Sequence, residues 1–193
     1  MSAISRETRK FEDYAYVLDY MAHGKMGGTR QEYRTEPLVQ IVGENYFTLL
    51  EAIPRSGVMI SLQERVYIGK ELLRDKISHI TGRINYDNLT STAKGELPIV
   101  VENIVLKDEE QVIRFFNTAP PITQRMHSLE LIPGIGKKYT RAILELRERK
   151  LFDNYEDVKN RAGIPNPVKL ITKRVLEELS EIDPKHRLFT RAS

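Results

Sequence analysis

Apolar and polar residues alternate along the first part of the chain, as they do in half-buried β-strands. The segment 14–21, YAYVLDYM, places three tyrosines and Leu18 on one face. The runs PLVQIVG and YFTLLEAIP flank Glu44 and Asn45, which is typical of a β-hairpin. Three further β-rich runs follow, namely VMISL, RVYIG and ISHITGRI. Five or six short strands within residues 11–85 predict a small closed or partly closed β-barrel of the OB-like kind.

The spacing of apolar residues changes to a helical period after Asn85. The segment PIVVENIVL begins with Pro98, which suits the first turn of a helix. The next, DEEQVIRFFNTA, begins with Asp108 as a candidate N-cap and ends before two prolines. Four more helices are predicted, over ITQRMHSLELI, KKYTRAILELRERK, NYEDVKNRA and PVKLITKRVLEELS. The pattern therefore predicts an α+β protein, with an all-α domain at 86–183 and a basic tail at 184–193.

The composition is that of a folded protein without cysteine chemistry. The chain has 193 residues, of which 40% are hydrophobic, enough to bury a core. Because there is no cysteine, disulfides, thiolate catalysis and cysteine-based zinc sites are excluded. No apolar run approaches the roughly 20 residues that span a bilayer, and the first residues lack the apolar segment of a signal peptide. We expect a cytoplasmic protein that does not contact membranes.

Positive charge is concentrated in the last third of the chain. Residues 1–121 hold 15 Lys and Arg against 17 Asp and Glu, whereas residues 122–193 hold 15 against 10. The excess of cations in the second segment favours an anionic partner, and nucleic acid is the commonest of these. The alternative is a solvated helical surface that happens to carry lysine, and charge alone does not separate the two.

The stretch SLELIPGIGKKYTRAILELRERK (128–150) contains the candidate site. Pro133 is expected to stop a first helix, and Gly134 permits the tight conformation that a chain reversal requires. Ile135 can turn inward and fix the turn to a two-helix core. The stretch is therefore predicted to form a hairpin of two helices.

Gly136 leaves the backbone uncovered at the point where the second helix starts. Free N–H groups at a helix N-terminus, together with the helix dipole, form an anion site. The cations that can attract a phosphate to this site are Lys137, Lys138 and Arg141. Arg125 and His127 precede the turn closely enough to border the same surface, although for His127 packing between helices is the favoured alternative.

The stretch resembles a helix-hairpin-helix motif, in which an apolar residue is followed by Pro-Gly-apolar-Gly, two polar residues and Ala-x-x-apolar. The match is nearly complete and leads to Ala142. The resemblance implies that the hairpin backbone grips nucleic-acid phosphates without reading base sequence. The alternative is a plain αα-hairpin that needs glycines only to turn, but the proline, the isoleucine and the lysines favour binding. The all-α domain is thus predicted to be a helix-hairpin-helix domain with its hairpin near 133–137.

A second, weaker match lies downstream in RAGIPNPVKLITKRVLEEL. Gly163 and Ile164 take the places of the first glycine and the isoleucine, and Pro165 replaces the second glycine. The helix-hairpin-helix resemblance implies paired units, so this segment is a candidate partner of the first hairpin. Because proline lacks an N–H group, the second turn is expected to bind phosphate less well. An unrelated helix after a proline-rich turn remains an alternative.

The run RMHSLELIPGIGKK, preceded by FFNTAPPITQ and a β-rich half, resembles one uncharacterised archaeal family of predicted nucleic-acid-binding proteins. The resemblance extends from about Asp13 to Leu179. It implies an OB-like barrel, a helix-hairpin-helix region, and binding of RNA or DNA. It implies no reaction, because that family has no assigned activity.

The barrel and the tail offer further candidate surfaces. Aromatic residues on the barrel can stack bases, although tyrosines at strand spacing are more often packing residues. Near them, the loop that contains Lys25, Arg30 and Arg34 can guide a nucleic-acid backbone. The aromatic candidates are Tyr14, Tyr16, Tyr20, Tyr33, Tyr46 and Phe47. The tail, PKHRLFTRAS, is expected to be mobile and either solvated or in contact with RNA.

Catalytic and cofactor sites are not evident in the sequence. The histidines lack metal-ligand spacing, so we expect no metal and no cofactor. Lys138 and Asp157 lie at the spacing of the catalytic pair in helix-hairpin-helix DNA glycosylases, but Asp157 lacks the surrounding motif. We therefore predict a non-enzymatic nucleic-acid-binding protein, with RNA favoured over DNA. The alternatives are a protein-docking module built on tandem hairpins and, last, a repair glycosylase or lyase; the oligomeric state is left open.

Overall fold

A computed structural model describes residues 11–24, 36–181 and 185–191 of the chain. The chain divides into two compact units, Met1–Ile84 and Asn85–Ser193. The first contains a sheet and the second is mainly helical. The predicted order, a β-rich part followed by a helical part, is therefore confirmed.

The first unit is built on a five-stranded antiparallel sheet that curls into a half-barrel. Its strands are β1 (Tyr14–Met21), β2 (Leu38–Gly43), β3 (Leu49–Pro54), β4 (Arg65–Tyr67) and β5 (Ile77–Arg83). Their spatial order is β4-β1-β2-β3-β5, so the two edge strands are β4 and β5. One face of the sheet carries the core, which contains Ala15, Val17, Val39, Ile41, Ala52 and Val66.

A bulge in β1 overturns the prediction that its tyrosines share one face. Tyr16 lies opposite Val42 on β2, whereas Tyr20 lies opposite Val39, after a register shift beside Leu18. Because the partners are an odd number of residues apart, the extra residue moves Tyr20 to the other face of the strand. Alternation in the sequence cannot reveal such an insertion.

The β2–β3 hairpin is confirmed, but its loop is longer than Glu44 and Asn45. The side chain of Glu12 is 8% exposed and organises this loop. Its carboxylate accepts hydrogen bonds from the backbone N–H groups of Asn45, Tyr46 and Thr48, at 2.9, 3.0 and 3.2 Å. A buried carboxylate is stable when several donors surround it.

The predicted strand VMISL does not form. Residues 55–64 connect β3 to β4 without forming a strand, and Gly57 in the first turn of this connection has φ +77°. Met59 is 88% exposed. A segment that does not pair with a strand of the sheet buries little apolar surface, so its β-propensity alone does not make it a strand.

In its described residues, the second unit contains five helices, two short strands and two 3₁₀ turns. The helices are α1 (Ser91–Lys107), α2 (Glu109–Thr118), α3 (Lys137–Arg149), α4 (Tyr155–Ala162) and α5 (Pro167–Ser180). The strands β6 (Pro121–Thr123) and β7 (Met126–His127) pair with each other, and the 3₁₀ turns are Tyr86–Asn88 and Ser128–Leu131. Pro98 lies inside α1 instead of in its first turn, because Thr90 caps the helix eight residues earlier in the chain by accepting from the N–H of Ala93.

The helix predicted over ITQRMHSLELI is wrong. Pro120 and Pro121 hold the chain extended, which favours a short hairpin of β6 and β7. Ser128 then returns to this segment, and its hydroxyl donates to the Pro120 carbonyl at 2.6 Å. Only the four residues Ser128–Leu131 form a helical turn, and it is 3₁₀. The first limb of the hairpin near 133–137 is therefore not an α-helix.

The basic tail is anchored in its described part, so the expectation of a mobile tail is wrong for residues 185–191. Glu178 of α5 is 1% exposed and accepts from the N–H groups of Leu188, Phe189 and Thr190, at 2.7, 3.1 and 2.9 Å. Arg174 donates to the same carboxylate at 2.9 Å. One buried carboxylate thus holds the segment against α5.

Candidate nucleic-acid interface

The turn before α3 is fixed by two buried isoleucines. Ile132 and Ile135 are 1% and 2% exposed, and the N–H of Ile135 donates to the Ile132 carbonyl at 2.9 Å. Gly134 lies between them with φ +92°, a conformation that side chains rarely adopt. A Cβ atom at Gly134 would come within 3.2 Å of Leu170 on α5. The predicted roles of Gly134 and Ile135 in shaping the turn are confirmed.

Gly136 is the N-cap of α3 and leaves the helix end uncovered. No side chain caps this end, and the first intrahelical bond, from the Thr140 N–H to the Gly136 carbonyl, is 3.0 Å long. A Cβ atom at Gly136 would meet nothing within 4 Å, and its φ of −88° is open to any residue. The fold therefore does not require glycine at this position. Because Gly136 has no side chain, the first N–H groups of α3 remain accessible.

The charges at this end of α3 are opposite to those that a helix dipole favours. Lys137 and Lys138 occupy the first turn and are exposed, and that turn contains no acidic residue. The first turns of α2 and α4, in contrast, contain two acidic residues each. Cations near a helix N-terminus are unfavourable unless an anion is present. Arg141, one turn further, is also exposed and adds to the same positive surface.

A cleft of 370 Å³ lies beside this helix end, between the β6–β7 hairpin and α3. Arg125 lines it from the hairpin, where it is exposed, and Lys137 and Arg141 line it from α3. The structure thus brings Arg125 to one surface with Lys137 and Arg141, whereas Lys138 does not line the cleft. Pro133, which is half-buried, is not among the residues that line the cleft.

His127 forms part of the same cleft but is not a cation at neutral pH. It is 8% exposed, and its Nδ1 accepts from the N–H of Leu129 at 3.1 Å. Burial lowers the pKa of His127, and the positive charge of Arg147 lowers this pKa further, while Glu130 opposes both effects. The side chain shapes the wall of the cleft and caps the 3₁₀ turn, and it adds no charge to bind phosphate.

The second turn has a similar shape but a covered helix end. It joins α4 to α5, with Gly163 at φ +70° and Ile164 fully buried. The N-cap of α5 is Asn166, whose side chain accepts from the Lys169 N–H at 3.0 Å. Pro167, the first helical residue, has no N–H at all. The predicted likeness of the two turns is confirmed in these features, and the second offers an anion fewer donors.

The aromatic residues of the first unit are largely engaged within it. The Arg65 guanidinium lies 3.5 Å from the Tyr14 ring centre and pairs with Glu44 at 2.7 Å. Tyr14 also packs edge-on against Tyr67, while Tyr16 is buried. Phe47 is buried, Tyr46 is half-buried and Tyr20 is 39% exposed. The remaining candidates, Lys25, Arg30, Tyr33 and Arg34, lie outside the described residues.

No metal-binding cluster is found in the described ranges 11–24, 36–181 and 185–191. No helix among these residues is long and apolar enough to cross a membrane. Asp157, the acid of the glycosylase alternative, is paired with Arg161 at 2.8 Å and accepts from the Asp153 N–H at 3.1 Å. These contacts join Asp157 to the last turn of α4 and to the residue before its N-cap, and they give Asp157 a structural role.

Sequence reasoning missed the β6–β7 wall of the cleft and the buried Thr140 on its α3 side. The two adjacent prolines are a signal for extended chain as well as for the end of a helix. Thr140 lies four residues after Gly136, so in a helix it is on the same face as the N-cap, and this spacing was the signal that Thr140 borders the site.

Comparison with known proteins identifies relatives but no function. The family model described as protein of unknown function (DUF655) matches residues 11–191. An uncharacterised protein of Methanocaldococcus jannaschii is 48% identical over 181 residues, which are 94% of this chain and 80% of that protein. The crystal structure of Af1531 from Archaeoglobus fulgidus, a DUF655 protein, is similar with a TM-score of 0.83 and 47% identity. That match covers 93% of this chain and all of the other.

Proposed function

We propose that this chain, which belongs to the DUF655 family of proteins of unknown function, is a non-enzymatic nucleic-acid-binding protein. In this proposal the backbone of Gly136, Lys137 and Lys138 binds a phosphate at the start of α3. The observation that carries it is the uncovered N-terminus of α3 with two lysines in its first turn. An unpaired positive end of this kind is stabilised by an anion.

The surrounding charge extends the site along a nucleic-acid backbone. Arg125 and Arg141 lie on the two sides of the adjacent cleft, so neighbouring phosphates can contact them in turn. Contacts to phosphate position a protein without reading sequence. The proposal is therefore a clamp with low sequence specificity, with RNA preferred to DNA and the half-barrel acting as an OB-like second surface.

The alternative with a different partner is a protein-docking role for the two turns. The α4–α5 turn favours this role, because the Asn166 side chain occupies a backbone N–H at the start of α5 and Pro167 has none. A phosphate would find few donors there, whereas a protein partner does not need them. Salt separates the two roles, because binding to phosphates falls with a log–log slope of about −0.7 to −0.9 for each phosphate neutralised. An apolar docking surface responds little to salt.

The experiment is a fluorescence anisotropy titration with labelled single-stranded RNA, structured RNA and duplex DNA at several salt concentrations. Gly136→Asp places a carboxylate at the proposed phosphate site. Asn166→Asp is the matched control, because it puts the same group at the N-cap of α5. We expect salt-sensitive binding that Gly136→Asp removes and Asn166→Asp retains, with RNA bound more tightly. Absence of binding to all three ligands at low salt, or binding unaffected by Gly136→Asp, would overturn the proposal.

A further inference from the structure

The cleft between the β6–β7 hairpin and α3 has features that a phosphate clamp does not use. Its volume of 370 Å³ falls at the lower end of the range of about 300–1,000 Å³ that is typical of small-ligand sites. Its lining includes the apolar side chains of Pro121, Met126 and Leu144. A backbone phosphate requires only the exposed helix end and its cations, so it leaves this apolar lining without a role.

One buried hydroxyl in the cleft lining lacks a hydrogen-bond partner. Thr140 is 5% exposed, and its side-chain hydroxyl makes no hydrogen bond. Leaving a buried polar group unpaired is costly, and proteins rarely do so without a reason.

We propose that this cleft binds one unpaired nucleobase of the nucleic acid whose phosphate lies at the α3 N-terminus. The apolar lining suits the faces of a planar ring, and the Thr140 hydroxyl suits one of its carbonyl oxygens. That hydroxyl is not exposed to water in the structure, so the ring enters as the β6–β7 hairpin moves outward. That hairpin consists of strands of three and two residues, which makes such a movement inexpensive.

The placement of charge links the cleft to the clamp. Lys137 and Arg141 line the cleft, and Lys137 is also the first residue of α3. A nucleotide can therefore put its phosphate on the helix end and its base in the cleft. The inference rests on the proposed function and adds a preference for single strands, bulges or ends, because a base in a duplex is not free to enter.

Thr140→Val tests the cleft, because it removes the hydroxyl and keeps the shape of the side chain. The probes are a labelled oligouridylate and the same chain with every base removed. We expect the variant to bind the oligouridylate about three- to tenfold more weakly, because one hydrogen bond is lost. The variant should bind the abasic chain as tightly as the wild type does. Leu144→Trp, which fills the cleft, is expected to give the same pattern if Thr140→Val alters the fold.

The outcomes separate the two proposals. If the wild type binds both chains equally well, or if both variants bind the oligouridylate as the wild type does, the base site is wrong and the clamp stands. If the wild type binds neither chain, the clamp itself fails. The base site is supported if the wild type binds the oligouridylate more tightly than the abasic chain and both variants lose this preference. Lys159→Ala, a surface control, should keep it.

Discussion

Gly136 and Asn166 are the N-caps of α3 and α5, at the ends of two similar turns, yet only Asn166 covers its helix. The Asn166 carbonyl oxygen accepts from the Lys169 N–H at 3.0 Å, whereas Gly136 has no side chain with which to do so. α1 and α4 are capped by side chains as well. α2 also lacks a side-chain cap, but its first turn carries Glu109 and Glu110, so of the two uncapped helix starts α3 is the one that carries lysines.

Gly136→Asp is expected to stabilise the protein while it removes nucleic-acid binding. Aspartate is among the best N-cap residues, and the space at this position is open. The gain in the free energy of unfolding should be about 0.3–1 kcal/mol, measured by urea denaturation, because glycine is itself a tolerable N-cap and the gain comes partly from the charge at the helix end. A loss of stability together with a loss of binding would instead indicate that the glycine serves the fold.

Gly134→Ala is expected to destabilise the protein by about 1–2 kcal/mol. The cause is the φ of +92° at this residue and the close approach of a Cβ to Leu170. Gly95→Ala is a matched control within α1, where a Cβ meets nothing and alanine favours the helix by about 1 kcal/mol. Urea denaturation should give changes of opposite sign, and equal signs would contradict this account of the turn.

Lys138→Ala is expected to weaken RNA binding and to reduce the salt dependence. If Lys138 neutralises one phosphate, the log–log slope should become shallower by about 0.7–0.9. Lys159→Ala, on the exposed surface of α4, should leave affinity and slope unchanged. A loss of affinity at constant slope would mean that Lys138 acts through packing.

Glu178→Gln is expected to release the segment 185–191 from α5. The amide loses the negative charge that pairs with Arg174 and accepts from three backbone N–H groups. Hydrogen bonds to charged groups contribute about 1.5–3 kcal/mol, so the free energy of unfolding should fall by that order. Hydrogen exchange at Leu188–Thr190 should accelerate, whereas Glu181→Gln at the exposed end of α5 should change neither quantity.

His127 is expected to make the protein less stable in mild acid. Burial and the nearby Arg147 lower the pKa of His127 in the folded state from the ordinary value of about 6.5. The unfolded chain therefore binds the proton more readily, and stability is lost as the pH falls below 6.5 through the lowered pKa. The stability advantage of the wild type over His127→Asn should shrink between pH 7.5 and 5. A stability difference between the two proteins that stays constant from pH 7.5 to 5 would contradict this prediction.

The predicted strands and helices were mostly correct because alternation and helical spacing record which residues the core buries. The limits of β1, for example, agree with the segment 14–21. The bulge at Leu18 and the loss of VMISL could not be predicted, because both depend on which neighbouring strand supplies hydrogen bonds.

The sequence predicted the turn before α3, but it did not predict the hairpin that forms the other wall of the cleft. Gly134 and Ile135 are local requirements of a tight reversal, and the sequence shows them directly. The β6–β7 wall depends on Ser128 reaching back to the Pro120 carbonyl, a contact between segments that no periodic pattern encodes. His127 lines the cleft, as its position before the turn suggested, but it is buried there.

The most direct test of the central claim is an amide ¹H–¹⁵N NMR titration of the protein with single-stranded RNA. The account predicts that the largest shifts occur at the N–H groups of Gly136, Lys137 and Lys138, and that added salt reverses them. The amides of Lys169 and Leu170, at the covered start of α5, should change much less. Shifts that are absent at the α3 N-terminus and concentrated elsewhere would contradict the claim that this helix end binds phosphate.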